Sequence, residues 1–93
     1  MLDEFMVQCT FREGTVMSEV FAVVAEEQAA VAALTAAGRI GEIRLSLARG
    51  TVFIAAFGTD TDDATATVRS LPMARWWDVD VYPIAAPSRG GAS

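Results

Sequence analysis

The 93 residues predict an α+β fold of the ferredoxin-like, split-βαβ kind: a βαββαβ order, with one four-stranded antiparallel sheet and two helices on one face. Three stretches carry that prediction. Phe5 to Phe11 alternates apolar and polar residues with a period of two. Met17 to Leu34 repeats its apolar residues at helical spacing. The run from Leu71-Pro72 to Tyr82 passes from a stop signal into a strand alternating acids with valines.

In chain order, Phe5, Val7, Cys9 and Phe11 form one face of the first strand, against Met6, Gln8 and Thr10. Thr15 is a candidate cap for one long helix reaching about Ala37, where Gly38 supplies the left-handed stop. Ile43, Leu45 and Leu47 alternate with Glu42, Arg44 and Ser46. Arg49-Gly50 reads as a tight turn and Val52 to Phe57 as an apolar strand, which together make a hairpin. Asp60 to Asp63 crowd acids at the start of a short helix carrying Ala64, Val68 and Leu71, which Pro72 is expected to end. In the last strand Trp77, Val79 and Val81 share one face, and Trp76, Asp78, Asp80 and Tyr82 the other. Residues 1–84 read as a single domain, and residues 85–93 as a flexible C-terminal tail.

Composition narrows the function classes. With 53% hydrophobic residues the chain can build one small core, near the size at which burying surface against a second copy adds needed stability. A sheet covered on one face alone leaves the other for a partner, so a homodimer or higher homo-oligomer meeting sheet to sheet is expected. The net charge of −5, with no lysine and scattered arginines, offers no basic stripe for nucleic acid. The single cysteine, Cys9, lies in an alternating apolar segment and reads as a small buried residue. With no histidine and only dispersed acids, no metal is expected, and His-assisted serine chemistry is excluded. No apolar run approaches the roughly 18–20 residues of a membrane span, and no basic n-region precedes Asp3 and Glu4, so the expectation is a cytoplasmic protein without a membrane partner.

Several polar residues fall on faces where they need a reason. On a helical wheel with Met17 at zero, the apolar stripe centres near about 330°, Glu27 near about 280° and Gln28 near about 20°. Glu27 borders the sheet-facing side and Gln28 falls inside the stripe, where they either meet a ligand or catalytic proton or bond to backbone and water at the helix edge. Arg44 faces away from the apolar side of its strand. It either holds a carboxylate or enolate through its fork of donors, or pairs with Asp78 or Asp80 of a neighbouring copy. Phe21, Trp76 and Tyr82 are the aromatic candidates for shaping a pocket or interface, and Asp78 for a polar contact to a ligand.

The spacing Leu71-Pro72, a short bulky stretch, then Trp76-Trp77-Asp78-Val79-Asp80-Val81 resembles the end of the muconolactone isomerase family. The acidic pair Glu26-Glu27, Gly38 and the hairpin follow the same order. The resemblance implies a ferredoxin-like protein of the dimeric α+β barrel type. Such a protein assembles through its sheets and moves a proton within an unsaturated lactone without a cofactor. It would give Glu27 the role of base and Arg44 that of stabilising the enolate, with Phe21, Gln28, Trp76, Asp78 and Tyr82 contacting a small-molecule substrate. Where the family places histidines and a tyrosine, this chain has Glu42-Ile43-Arg44-Leu45-Ser46 and Ala85-Ala86-Pro87-Ser88, so the expected substrate is another unsaturated lactone or a cyclic polyketide-like compound. A non-catalytic binding or assembly module and a cofactor-free oxygenase are the alternatives the same fold admits.

Overall fold

The computed structural model describes residues 2–85. Strand β1 (Asp3–Phe11) is followed by helices α1 (Met17–Phe21) and α2 (Val24–Ala36), the hairpin strands β2 (Ile40–Ser46) and β3 (Thr51–Gly58), helix α3 (Thr61–Arg69) and strand β4 (Trp77–Pro83). The sheet is antiparallel in the order β2-β3-β1-β4, with helices on one face, as the element order predicts. Most of the expected tail, residues 86–93, lies outside the described residues.

Register assigns the two faces. Val7 pairs with Ile54 and Val81, and Cys9 with Val52 and Val79, so these side chains share the helix-covered side. Met6, Gln8, Phe53, Asp80 and Tyr82 fall on the open side by the same alternation. Between Ile40 and Ile43 the β2 register shifts by one residue. That bulge lets Ile40 and Ile43 both point to the core.

The two helical segments pack unequally. Helix α3 seats Ala64 and Val68 fully buried against Phe5, Val7, Ile54 and Trp77, because alanine lets the helix backbone approach the sheet closely. Asp60 caps it, its side chain accepting from the Asp63 N–H at 2.8 Å, and Asp63 Oδ2 in turn accepts the Thr59 N–H at 2.9 Å. Arg39 latches α3 to the hairpin: it donates to Phe57 O and Thr67 Oγ1 and pairs with Asp63 Oδ1 at 2.9 Å. Helix α2 has no fully buried residue and rests on the sheet through the partly buried Ala30, Val31 and Leu34. The core is therefore tight under α3 and loose under α2.

Four local expectations are corrected. The single long helix breaks at Ala22-Val23, where Val23 leaves helical geometry at φ −108° and ψ 12°. The run Val20-Phe21-Ala22-Val23-Val24 is rich in β-branched residues that crowd a helical turn, and the break leaves Met17 and Phe21 exposed. Thr15 does not cap α1: its hydroxyl donates back to Arg12 O, and Val16 holds the cap position without a side-chain bond. Helix α3 ends at Arg69, and Pro72 instead opens a 3-10 turn, Pro72–Trp76, whose first position tolerates a residue without an N–H. Trp76 therefore ends that turn, half-buried, and does not join the outer face of β4.

Two glycines show where the packing has slack. A Cβ on Gly58 would sit 3.0 Å from the Ala64 backbone N, whereas one on Gly41 would meet the edge of the Phe57 ring at 3.1 Å. Gly58→Ala is expected to cost about 1–3 kcal/mol because backbone must move, and Gly41→Ala clearly less because a ring can swing aside. Urea denaturation of the two variants measures the difference.

Candidate functional site

The loose packing of α2 leaves an apolar cavity of about 510 Å³ between α2, the β2-β3 hairpin and the Pro72–Trp76 turn. Val24, Glu27, Gln28 and Val31 line it at spacings of three and four residues, the repeat that places side chains on one face of a helix. The sheet contributes Ile43, Leu45, Val52 and Ile54, and the C-terminal segment Met73 and Trp77. The cavity is of small-molecule size.

Within this lining Glu27 is the titratable group. Its Oε1 accepts the Met73 N–H at 2.9 Å, which fixes the carboxyl between α2 and the 3-10 turn. Burial among apolar side chains pushes its pKa above the ordinary carboxylate value, and the Met73 N–H opposes that rise by favouring the charged form. Across the same lining Trp77 is 1% exposed, and its indole Nε1–H is buried without a hydrogen-bond partner. The ring is held edge-on to Phe11, with centroids 6.1 Å apart. The Glu27 carboxyl thus lies in an apolar chamber that the Trp77 ring helps to wall, while the Trp77 N–H, with no accessible surface, does not open into it. Cys9 supplies no nucleophile: burial, aided by the Glu27 charge, pushes its thiol up to about 12.

The sequence candidates separate into two groups. Glu27 and Gln28 line the cavity, and Phe21 lines an adjoining trough beneath α1. Arg44 lies on the open face of the sheet, paired with Glu42 at 2.6 Å, with both side chains exposed. Asp78 and Tyr82 fall on that open face as well. Asp78 accepts from Arg12 Nε at 3.1 Å, and Tyr82 stands opposite Met6. Trp76 carries the Arg75 guanidinium 5.0 Å from its ring centroid, outside the cavity. Within one chain, then, the structure does not bring Arg44, Trp76, Asp78 or Tyr82 together with Glu27.

Two contributors escape the sequence reading. Trp77 reads as core from its register with Val79 and Val81, and the structure does bury it. What singles it out is an indole N–H left unpaired, which buried tryptophans usually avoid. Met73 acts through its backbone N–H, which carries no side-chain signature. Arg12 also goes unmarked in the sequence, yet it ties β1 to Arg75 O, Trp77 O and Asp78, and so holds the segment on which Met73 and Trp77 sit.

Among the described residues no group of three or more Cys, Asp or Glu is placed to hold a metal ion, and no helix is long and apolar enough to cross a membrane. No protein-family model and no curated protein matches the chain.

The raised pKa of Glu27 has a signed consequence for stability. The folded chain binds the Glu27 proton more tightly than the unfolded one, so stability is greatest below the ordinary value of 4.5 and falls as pH rises through the folded pKa. Glu27→Gln keeps an acceptor for Met73 and removes the buried charge. The variant's melting temperature relative to the parent is expected to rise between about pH 4 and pH 8, as read by thermal denaturation across that range. Asp63, held low chiefly by the Thr59 N–H and then by Arg39, contributes equally to both chains and cancels.

Proposed function

We propose that the protein is a cofactor-independent proton-transfer enzyme of the isomerase type, acting on a small unsaturated lactone or related cyclic carbonyl compound bound beside Glu27. The observation that carries this reading is a carboxyl whose pKa burial raises, held by one oxygen to the Met73 N–H, in the lining of an apolar cavity of small-molecule size. A carboxylate poised above its ordinary range is a stronger base than a solvated one.

The chemistry follows from that group and the Gln28 amide on the same lining. Glu27 Oε2 takes a proton from carbon adjacent to the carbonyl system; the C–H bond breaks and its electron pair moves onto the carbonyl oxygen as a dienolate. The Gln28 amide N–H donates to that oxygen and takes the stabilising part the sequence assigned to Arg44. Glu27 then returns its proton to a different carbon, which shifts the double bond and restores the carboxylate. No electron leaves the substrate, so no redox cofactor is required.

The muconolactone isomerase resemblance supports the same reaction class through the Leu71-to-Val81 spacing, which builds the turn and strand carrying Met73 and Trp77. It also supports assembly of copies through the open sheet face, where Phe53 and Phe57 are only half-covered. A non-catalytic binding module is the second reading, favoured by the Glu27 Oε1 bond to Met73, which already satisfies part of the carboxyl internally.

Proton exchange separates the two readings. The protein is expected to catalyse isomerisation or solvent-deuterium uptake with a panel of neutral butenolides and cyclic enones. Glu27→Gln should lower the rate by roughly 10²–10⁴-fold and Gln28→Leu by about 10²-fold, with binding retained. Binding without exchange by the parent chain supports the binding-module reading.

A further inference from the structure

The cavity beside Glu27 does not end at α2. A second apolar space, of about 410 Å³, runs beneath α1 and shares four lining residues with the first: Val24, Leu45, Val52 and Met73. Its outer margin carries Met17, Phe21, Leu45 and Leu47, which are 42%, 66%, 63% and 87% exposed. These large apolar side chains stand in water at the edge of one trough. The break at Ala22-Val23 sets α1 apart from α2 over it.

The two ends differ in chemistry. Around Glu27 the lining holds a carboxyl and the Gln28 amide, while around α1 it is almost wholly hydrocarbon. No arginine lines either space, so an anionic ligand would meet only the Glu27 charge. Such a polarity gradient orients an occupant.

Resting on the proton-transfer reading, we propose that the trough beneath α1 is a hydrocarbon subsite continuous with the Glu27 cavity. It selects an uncharged, elongated carbonyl compound whose polar end lies at Glu27 and Gln28 and whose alkyl or fused-ring end lies against Phe21 and Leu47. The margin side chains are the specificity-determining groups. A ligand carrying a carboxylate at its polar end is disfavoured, because that charge would meet the Glu27 carboxyl with no arginine in the lining.

Calorimetric titration of the full chain with γ-alkyl butenolides from methyl to octyl, and with the octyl member carrying a carboxylate on its ring, tests this. Affinity is expected to rise about threefold to fourfold per added methylene until the trough is filled, and to fall at least tenfold for the carboxylate analogue. Phe21→Ser and Leu47→Ser, at exposed positions that circular dichroism can show to be folded, should flatten the chain-length dependence, weakening the octyl member far more than the methyl member. Affinity indifferent to chain length, or variants that weaken the methyl and octyl members alike, would overturn the subsite. So would Leu47→Ser dissociating an oligomer in sedimentation while octyl binding stays the same, since a second copy would then cover the margin. The readout is binding, so a chain-length gradient without deuterium exchange would leave the subsite standing while the catalytic reading fails.

Discussion

The hydrogen bond from the Met73 N–H to Glu27 Oε1 is the tie on which the site depends. It spans the gap between a helix with no fully buried residue and the turn that leads into β4. Had α2 packed as closely as α3, there would be no chamber, and a glutamate facing the sheet would carry an unmet desolvation cost. The gap gives the carboxyl room, and the Met73 N–H gives it a fixed direction. The surrounding hydrocarbon raises its pKa, so one local packing difference yields both a cavity and a tuned group within it.

That difference originates in side-chain size. Helix α3 uses Ala64 and Val68 to reach the sheet, and the Asp60 cap with the Arg39 and Asp63 latch holds it there. Helix α2 turns Glu27 toward the cavity and leaves Gln28 exposed at its edge, where α3 seats Ala64 and Val68, and none of its residues is fully buried. A polar residue on a sheet-facing side opposes tight packing, and folds tolerate such conflicts where a site requires them. Trp77 adds a second conflict of the same kind, a buried N–H without an acceptor.

Much of the architecture was legible because it rests on periodicity. The alternation in β1 and β4, the Gly38 and Gly50 turns at φ +73° and +57°, and the Asp60 cap all stand where residue type and spacing put them. The break at Ala22-Val23 was not legible, since a helical wheel assumes an unbroken axis; the β-branched run across it was the available signal. Glu27 and Gln28 emerged from the wheel because a helix face is a local property. Arg44, Asp78 and Tyr82 were grouped with Glu27 on chemistry alone, and the sheet separates them because strand alternation sends them to the opposite face. Trp77 and Met73 stayed hidden, because an unpaired indole and a backbone donor arise only from tertiary packing.

The half-buried Glu27 carboxyl is the group on which the proposed proton transfer rests. A carbon-13 NMR titration of the Glu27 side-chain carboxyl in the full chain measures its midpoint. Burial in the apolar cavity predicts a midpoint above the ordinary value of 4.5. A midpoint at or below 4.5 would contradict that environment, because the carboxyl would then be solvated or fully paired and no better a base than an ordinary carboxylate.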